Sequence, residues 1–330
     1  MPTPPYLFTA LGAIRMISHE LEAIEYVCNR LTERRATLFL GAGVNANIKN
    51  GHGEECPLGQ RLADLICRDL LAVPNAGLTL DEAAEIARYK VGDKELNRYL
   101  YDLLISFSPG PVHLGLVQLP WDSIFTTNYD LLVERASEHA SVSPAGTIRQ
   151  VCSVLTDLSS FSDNDILYYK LHGSIDVANT DEGRLVLTKK DYRFYEQHRT
   201  LLFKRLKSDL LKHTFLFLGY SLGDNNFRAI LEDCRSQLGA TALPRSFALR
   251  KGASEVEQLF WRDQYNIEIL NIDAADFMNL LKGTWIAQGC AVVPFDIRRT
   301  QQYLQVDANA AFEKVGESYY RVRSEDCPLR

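Results

Sequence analysis

His172 and Asn128 are the two side chains whose type and position suggest chemistry most directly. His172 follows the apolar run Ile166–Leu171 and precedes Gly173, and Asn128 lies just past the run Ser123–Thr126. A histidine of ordinary pKa exchanges a proton near neutral pH, as a general base must. Taken alone, a histidine after a strand is more often structural, and a Thr-Thr-Asn run more often caps a helix. A shared position at the carboxyl edge of a parallel sheet favours the functional interpretation.

A further candidate is the turn that follows the apolar run Ala36–Leu40. The sequence from Gly41 to Ala46 fits the G-x-G-x-x-A dinucleotide fingerprint. Glycine lets a backbone approach a phosphate or ribose closely, but an ordinary tight turn explains the pattern equally well. Asp64 stands about where a dehydrogenase has its ribose-binding acid. Because Asp64 falls inside the helical pattern of Leu58–Leu71, a dehydrogenase is disfavoured.

Another polar turn, Gly219–Asp224, follows the strongly apolar run Thr214–Leu218. Asp224 is a natural N-cap for the helix predicted over Asn225–Leu238. The N-terminus of that helix is also a favourable place for an anion. A structural cap and a ligand loop therefore both stay open as interpretations.

Strand and helix patterns alternate along most of the chain, which predicts a parallel sheet with helices on both faces. The second strand of a dinucleotide-binding fold is missing, and helical patterns fill about 60 residues in its place. The predicted fold class is therefore α/β, a Rossmann-like doubly wound parallel sheet with an inserted helical subdomain. The predicted strands are Ala36–Leu40, Ser123–Thr126, Thr147–Val151, Ile166–Leu171, Thr214–Leu218, Ser246–Leu249 and Ile267–Leu270. The predicted helices are Ile17–Thr32, Leu58–Leu71, Asp81–Tyr89, Lys94–Phe107, Asp130–Ala140, Asp191–Leu211, Asn225–Leu238, Ala253–Tyr265 and Ala274–Leu281.

The composition disfavours several classes of protein. The 330 residues carry a net charge of −6 and have a pI of about 5.7, which gives no support to direct nucleic-acid binding. The seven cysteines include no Cys-x-x-Cys pair, so we expect no zinc ribbon and no bound metal. No apolar run reaches the ~18 residues of a membrane span. The first residues lack the charged region of a signal peptide, so we expect a cytoplasmic protein.

Four motifs occur in order along the chain, each at the end of a predicted strand. They are Gly-Ala-Gly-Val at 41–44, Thr-Thr-Asn-Tyr-Asp at 126–130, Leu-His-Gly-Ser at 171–174 and Gly-Tyr-Ser-Leu-x-Asp at 219–224. No single motif is specific, but the four in this order, each at a strand end, make a strong signal. The chain resembles the sirtuin-like NAD-hydrolase domain of bacterial anti-phage defence proteins, from about Ala36 to Leu270.

The resemblance implies that NAD+ is the substrate and binds between the sheet and the helical insert. It implies Asn128 and His172 as the catalytic pair. The residues that it implies for binding NAD+ are Gly41, Ala42, Gly43, Val44 and Asn45 at the diphosphate, Thr126, Thr127 and Asp130 at the loop and nicotinamide ribose, and Gly219, Tyr220, Ser221 and Asp224 at the adenosine half. The family usually has Ser where this chain has Asn45, and an asparagine can still donate and accept hydrogen bonds.

The domain organisation expected from these patterns has three parts. Residues 1–35 form an N-terminal arm and helix, and residues 36–289 form the sirtuin-like catalytic domain, with its helical insert at about 58–115. The pattern weakens after residue 289, so residues 290–330 are expected to be an extension or a linker to a further domain.

The expected activity is hydrolysis of NAD+ to nicotinamide and ADP-ribose by the toxic effector of an abortive-infection system. One alternative is a module that senses NAD+ or ADP-ribose without turnover. Another is an NAD-dependent protein deacylase, which is disfavoured because deacylating sirtuins carry a four-cysteine zinc module. Since uncontrolled loss of NAD+ would be toxic to the host, we expect a homo-oligomer or a regulatory sensor domain or protein, and no membrane partner.

Overall fold

The computed structural model describes most of the chain up to residue 291 and two short segments beyond it. The described residues are 5–74, 76–139, 148–152, 156, 158–162, 165–180, 183–238, 242–288, 290–291, 312–314 and 320–322.

Seven strands of the described residues form one sheet. They are β1 (Ala36–Leu40), β2 (Ser123–Thr126), β3 (Ile148–Val151), β4 (Ile166–Lys170), β5 (Thr214–Leu218), β6 (Ser246–Leu249) and β7 (Ile267–Leu270). Their order is β3-β4-β2-β1-β5-β6-β7, and every neighbouring pair is parallel. Because the chain winds outward on both sides of β1, the predicted doubly wound α/β fold is confirmed.

Helices cover both faces of this sheet because its central strands are apolar on both sides. In β1, Leu38 and Leu40 face one core, whereas Phe39 faces the other, as the two-residue period of a strand requires. The helices are α1 (Pro5–Thr32), α2 (Gly59–Ile66), α3 (Leu80–Val91), α4 (Asp93–Leu104), α5 (Pro111–Leu116), α6 (Leu132–His139), α7 (Lys189–His198), α8 (Thr200–Leu210), α9 (Asn225–Leu238), α10 (Glu255–Tyr265) and α11 (Ala274–Ala287). The first core lies under α1, α5, α6 and α11, and the second under α8, α9 and α10.

Helices α2, α3 and α4 occupy the stretch between β1 and β2, and none of the described residues in that stretch joins the sheet. These helices have an apolar core of their own, which includes Leu62, Ile66, Ala84 and Leu100. That core continues onto Leu187 of the sheet domain, so the helical insert packs against the region that follows β4. The domain boundaries themselves stay a prediction.

Several helix predictions differ from the structure. Helix α5 was not predicted, and α11 continues to Ala287 rather than ending at residue 281. Helix α1 begins at Pro5 rather than at residue 17, so the front of the expected arm is helical. The single helix predicted over 191–211 is two helices, α7 and α8, which meet at Arg199 with φ −128° and ψ 34°. The apolar spacing runs through both helices and does not record the break, at which the Arg199 side chain donates to Leu171 O and Arg184 O.

The chain beyond α11 is described only in part. Three short strands, β8 (Cys290–Ala291), β9 (Phe312–Lys314) and β10 (Tyr320–Val322), form a small antiparallel sheet. The rest of the predicted linker at 290–330 lies outside the described residues. None of the described helices combines the length and the apolar character that a membrane crossing needs.

The turns after β1 and β5 are in direct backbone contact. Gly41 N donates to Leu218 O and Gly43 N donates to Gly219 O, each at 2.9 Å. Gly219 has φ +62°, and a Cβ atom there would lie 2.0 Å from Val44 N. A Cβ on Gly41 would lie 2.6 Å from Gly219 O. Glycine is therefore required where the two turns meet.

We expect Gly219→Ala to lower the free energy of unfolding by about 2–5 kcal/mol, because backbone strain and steric overlap add. Gly252→Ala is the matched control, since Gly252 has φ +74° and a Cβ there would meet nothing within 4 Å. That control should lose only the ~1–2 kcal/mol of the left-handed backbone. Urea unfolding of both variants measures the difference, and equal losses would contradict the steric argument.

Candidate active site

A cavity of about 170 Å³ lies at the carboxyl edge of the sheet, below the helical insert. The residues of the sheet domain that line it include Ala42, Asn45, Thr127, Asn128, Asp130 and His172, and the insert contributes Leu62 and Leu80. Six of the residues predicted from the sequence thus meet in one cavity. The other predicted residues do not line this cavity: Gly41, Gly43, Val44 and Thr126 are chain neighbours of lining residues, and Gly219, Tyr220, Ser221 and Asp224 belong to the turn after β5.

Asn128 is held in a fixed orientation. Its backbone N donates to Thr126 Oγ1 at 3.0 Å, and its Nδ2 donates to Gly41 O at 3.2 Å. Thr126 Oγ1 in turn donates to Leu40 O at 3.1 Å. The Asn128 side chain is buried, and within the described structure its Oδ1 has no hydrogen-bond partner. The amide oxygen is therefore oriented by the protein and available to accept a hydrogen bond from a ligand.

His172 lies two residues past the end of β4, in a turn completed by Gly173 at φ +85°. Its ring meets the ring of Tyr192 edge-on, with 5.2 Å between centroids. Burial and the nearby Arg199 cation lower the pKa of His172 to about 3. His172 therefore does not have the ordinary pKa expected from the sequence, because its ring is buried away from water and lies near the Arg199 cation. His172 is neutral at physiological pH and is a weak base.

Arg199 joins the two loops beside His172. Its buried guanidinium donates to Leu171 O and to Arg184 O, and burial lowers its pKa. The residue was missed in the sequence analysis, since an arginine inside an amphipathic pattern gives no sign that it is buried. Its contacts fix the backbone on both sides of the His172 turn.

Asp130 is the centre of a buried hydrogen-bond chain. Its Oδ2 accepts from Asn45 Nδ2 at 2.7 Å, and its Oδ1 accepts from Leu132 N at 3.0 Å. Asn45 Oδ1 lies 3.1 Å from His113 Nε2. Because an amide oxygen only accepts, the proton of His113 must be on Nε2. Burial lowers the pKa of His113, which keeps the ring neutral. Asn45 therefore links α5 to Asp130.

Lys170 supports the same loop from inside the sheet. Its side chain is fully buried, and Nζ donates to Asp130 O at 2.5 Å and to Glu134 Oε1 at 2.9 Å. Burial alone would lower the pKa of Lys170, but the Glu134 and Asp130 carboxylates outweigh it, and the pKa is raised. The sequence signal that could have revealed this residue is a lysine at the end of an apolar strand.

The turn that follows β5 lies beside a second cavity of about 390 Å³. Asp224 lines it, and its Oδ1 accepts from Asn226 N at 2.8 Å, so the predicted helix cap is present. Tyr220 packs in the core with 4.6 Å between its ring and that of Phe39. Ser221 is exposed. Asp224 is therefore the predicted residue of this turn that faces a cavity.

Tyr192 lies between the two cavities and lines both of them. Its hydroxyl is hydrogen-bonded to that of Tyr129, which donates to Val186 O at 2.8 Å. Neither tyrosine was assigned a role from the sequence. Together they fix the wall around His172.

Another polar cluster lies at the opposite, amino edge of the sheet. Among the described residues, Asp122, Asp209 and His213 have possible metal-ligand atoms within 4.8 Å of one another. Arg205 already pairs with both carboxylates, at 2.7 Å from Asp122 and 2.8 Å from Asp209. We therefore interpret the cluster as a structural ion-pair network.

The fold is a doubly wound α/β domain with a cavity at the carboxyl edge of its sheet, and part of the chain is similar to known proteins. The family model of the SIR2-like domain matches residues 122–270. NAD(+) hydrolase ThsA of Enterococcus faecium is 38% identical over 48% of this chain and 32% of its own length. NAD(+) hydrolase ThsA of Cytobacillus dafuensis is 30% identical over 69% of this chain and 44% of its own length. Defense-associated sirtuin 2 of Bacillus subtilis is 26% identical over 83% of this chain and 26% of its own length.

A solved structure of a SIR2 homolog–NAD complex is also similar, with a TM-score of 0.41 and 13% identity over 79% of this chain and 93% of that one. The sequence comparisons confirm the resemblance to the sirtuin-like domain of bacterial defence proteins. The chain spans less than half the length of the curated relatives named above.

We expect Asn45→Ala to destabilise the protein by about 2–4 kcal/mol, because it leaves Asp130 Oδ2 and His113 Nε2 unpaired inside the protein. Gln237→Ala removes an exposed amide and should change stability by less than ~0.5 kcal/mol. Thermal or urea unfolding of the two variants gives the comparison. A loss for Asn45→Ala no greater than for the control would show that the chain through Asn45 is not stabilising.

Proposed function

We propose that this protein hydrolyses NAD+ to nicotinamide and ADP-ribose. The observation that carries the proposal is the cavity in which Asn128 and His172 meet, with the amide oxygen of Asn128 oriented and unpartnered among the described residues. The names of the ThsA relatives support the same reaction.

In the proposed mechanism, the bond between ribose C1′ and the nicotinamide nitrogen breaks, and its electron pair goes to the nicotinamide. Nicotinamide leaves neutral, because it carries a positive charge in NAD+. Asn128 Oδ1 accepts a hydrogen bond from the attacking water or from a ribose hydroxyl. The oxygen of the water bonds to C1′, and its proton passes to His172, which is neutral and able to accept it.

The remaining binding residues are proposed from their places around the two cavities. Ala42 and Asn45, within the 41–45 turn, and Thr127 and Asp130 line the smaller cavity, which supports contacts with the diphosphate and the nicotinamide ribose. Asp224 lines the larger cavity, which supports a contact with the adenosine half. Gly219 and Tyr220 support the turn that carries Ser221 and Asp224.

We propose further that the protein is a cytoplasmic effector of abortive infection. The support is its similarity to a defence-associated sirtuin and to ThsA proteins. Loss of NAD+ would harm the host cell, so we propose control by homo-oligomerisation or by a regulatory domain or protein.

One observation favours a second candidate, a module that binds NAD+ or ADP-ribose without turnover. The pKa of about 3 makes His172 a poor proton acceptor in the ligand-free protein. Calorimetry that shows NAD+ binding without nicotinamide release would support this candidate.

We expect purified protein to release nicotinamide from NAD+, and His172→Ala and Asn128→Ala each to slow the release by about 10²–10⁴-fold. His52→Ala, an exposed histidine in a loop, is the control and should match the parent. The assay is run beside size-exclusion chromatography, so that a loss of assembly is not mistaken for a loss of chemistry. Equal rates for parent and variants would refute the catalytic roles.

We also expect the rate of nicotinamide release to stay flat from pH 8 down to about pH 5. A base must be deprotonated to act, and His172, with a pKa of about 3, keeps its neutral form over this whole range. A histidine of ordinary pKa would instead lose activity below pH ~6.5. The pH dependence of kcat/KM measures this, and an acidic limb centred near pH 6.5 that disappears in His172→Gln would contradict the burial argument.

A further inference from the structure

The two cavities are neighbours, and we interpret them as one cleft for an extended ligand. They share Leu80 of the insert and Tyr192 of α7 as walls. The cavity beside Asn128 measures about 170 Å³, and pockets that hold organic ligands usually measure ~300–1,000 Å³. A dinucleotide with its reacting end at Asn128 must therefore extend into the cavity of about 390 Å³.

The larger cavity has carboxylates on two facing elements. Asp81 comes from α3 of the insert, and Asp224 comes from the start of α9. Hydrogen bonds from Asn226 N at 2.8 Å and from the Tyr220 hydroxyl at 3.4 Å orient Asp224. Each carboxylate oxygen accepts more than one hydrogen bond, so capacity for a ligand remains.

The cation that lines this cavity, Lys189, is already neutralised by carboxylates. Its Nζ lies 2.9 Å from Glu82 Oε1 and 3.8 Å from Asp81 Oδ2. The hydrogen bond with Lys189 lowers the pKa of Glu82 to about 2, so this carboxylate is ionised at neutral pH. The remaining polar residues of the lining, Asn225 and Asn226, are uncharged. The described lining is therefore negative overall.

We propose that Asp81 and Asp224 make the cleft selective for NAD+ over NADP+, an inference that rests on the proposed function. The hydroxyls of the adenosine ribose can donate hydrogen bonds to these carboxylates. The 2′-phosphate of NADP+ carries about −1.5 to −2 charge and would be repelled by them. Enzymes that accept a 2′-phosphate supply an arginine for it. The described lining of this cavity contains no arginine.

The position of these acids also explains why the sequence fingerprint misleads. In a dinucleotide-binding fold the acid ends the second strand. Here Asp64, at the corresponding distance, lies in α2 and accepts from Gln60 Nε2 at 3.2 Å. The acids that take over the role come from α3 and from the turn after β5.

The test compares kcat/KM for nicotinamide release from NAD+ and NADP+ in the parent, Asp81→Asn, Asp224→Asn and Asp102→Asn. We expect the parent to prefer NAD+ by roughly 10- to 100-fold, the effect of like charges a few ångströms apart at a partly exposed site. Asp81→Asn and Asp224→Asn should each reduce that ratio by about 3- to 10-fold. Asp102→Asn removes an exposed charge from α4 and should leave the ratio unchanged. Added salt should narrow the preference of the parent, because it screens exposed charges.

Equal use of the two dinucleotides by the parent would overturn the inference and leave the proposed hydrolysis intact. An unchanged ratio in both acidic-site variants would do the same. If no protein releases nicotinamide, the proposed hydrolysis fails, and calorimetric affinities for NAD+ and NADP+ in the same four proteins test the selectivity alone. The selectivity is supported if the parent binds NAD+ more tightly than NADP+ and this difference in affinity shrinks in Asp81→Asn and Asp224→Asn. Equal affinities of the parent for the two dinucleotides would refute it.

Discussion

The contact between the turns after β1 and β5 is the constraint on which the rest of the site depends. Gly43 N donates to Gly219 O at 2.9 Å, and neither Gly41 nor Gly219 has room for a side chain. This contact holds the first turn where Gly41 O can accept from Asn128 Nδ2. The orientation of Asn128 thus derives from two glycine turns that contribute no reactive group. A dinucleotide fingerprint is usually explained by the ligand, but here the same glycines are already required by the packing of the protein.

Several buried polar groups surround this contact, and each lowers stability unless it is paired. Asp130 is paired with Asn45 and Leu132 N, and Lys170 with Asp130 O and Glu134. Removing either member of such a pair leaves the other without compensation, so the network tolerates change poorly. The network makes the loop rigid, because Asp130 is held through Asn45 from α5 on one side and by Lys170 of the sheet on the other.

The sequence allowed five strands, β1, β2, β5, β6 and β7, to be predicted with the bounds that the structure shows. Each is a short apolar run between turn residues, so local information is enough. The edge of the sheet that carries Asn128 and His172 was predictable for the same reason. The link from His113 to Asn45 was not, because these residues are 68 positions apart. The break at Arg199 and the neutral state of His172 were also missed, since both result from burial by segments distant in sequence.

The electrostatics around His172 suit the proposed reaction in a specific way. A permanently charged histidine beside Arg199 would add a second cation to a site that must receive the positive nicotinamide ring. Burial avoids this by keeping His172 neutral in the ligand-free protein. When the bond to nicotinamide breaks, the ring loses its charge, and the positive charge is left on the ribose and then on the proton of the attacking water. His172 accepts a proton only after the nicotinamide ring has lost its positive charge. The same burial that weakens the base therefore also prevents it from repelling the substrate, and Arg199, by opposing a charged His172, favours rapid loss of the proton after the step.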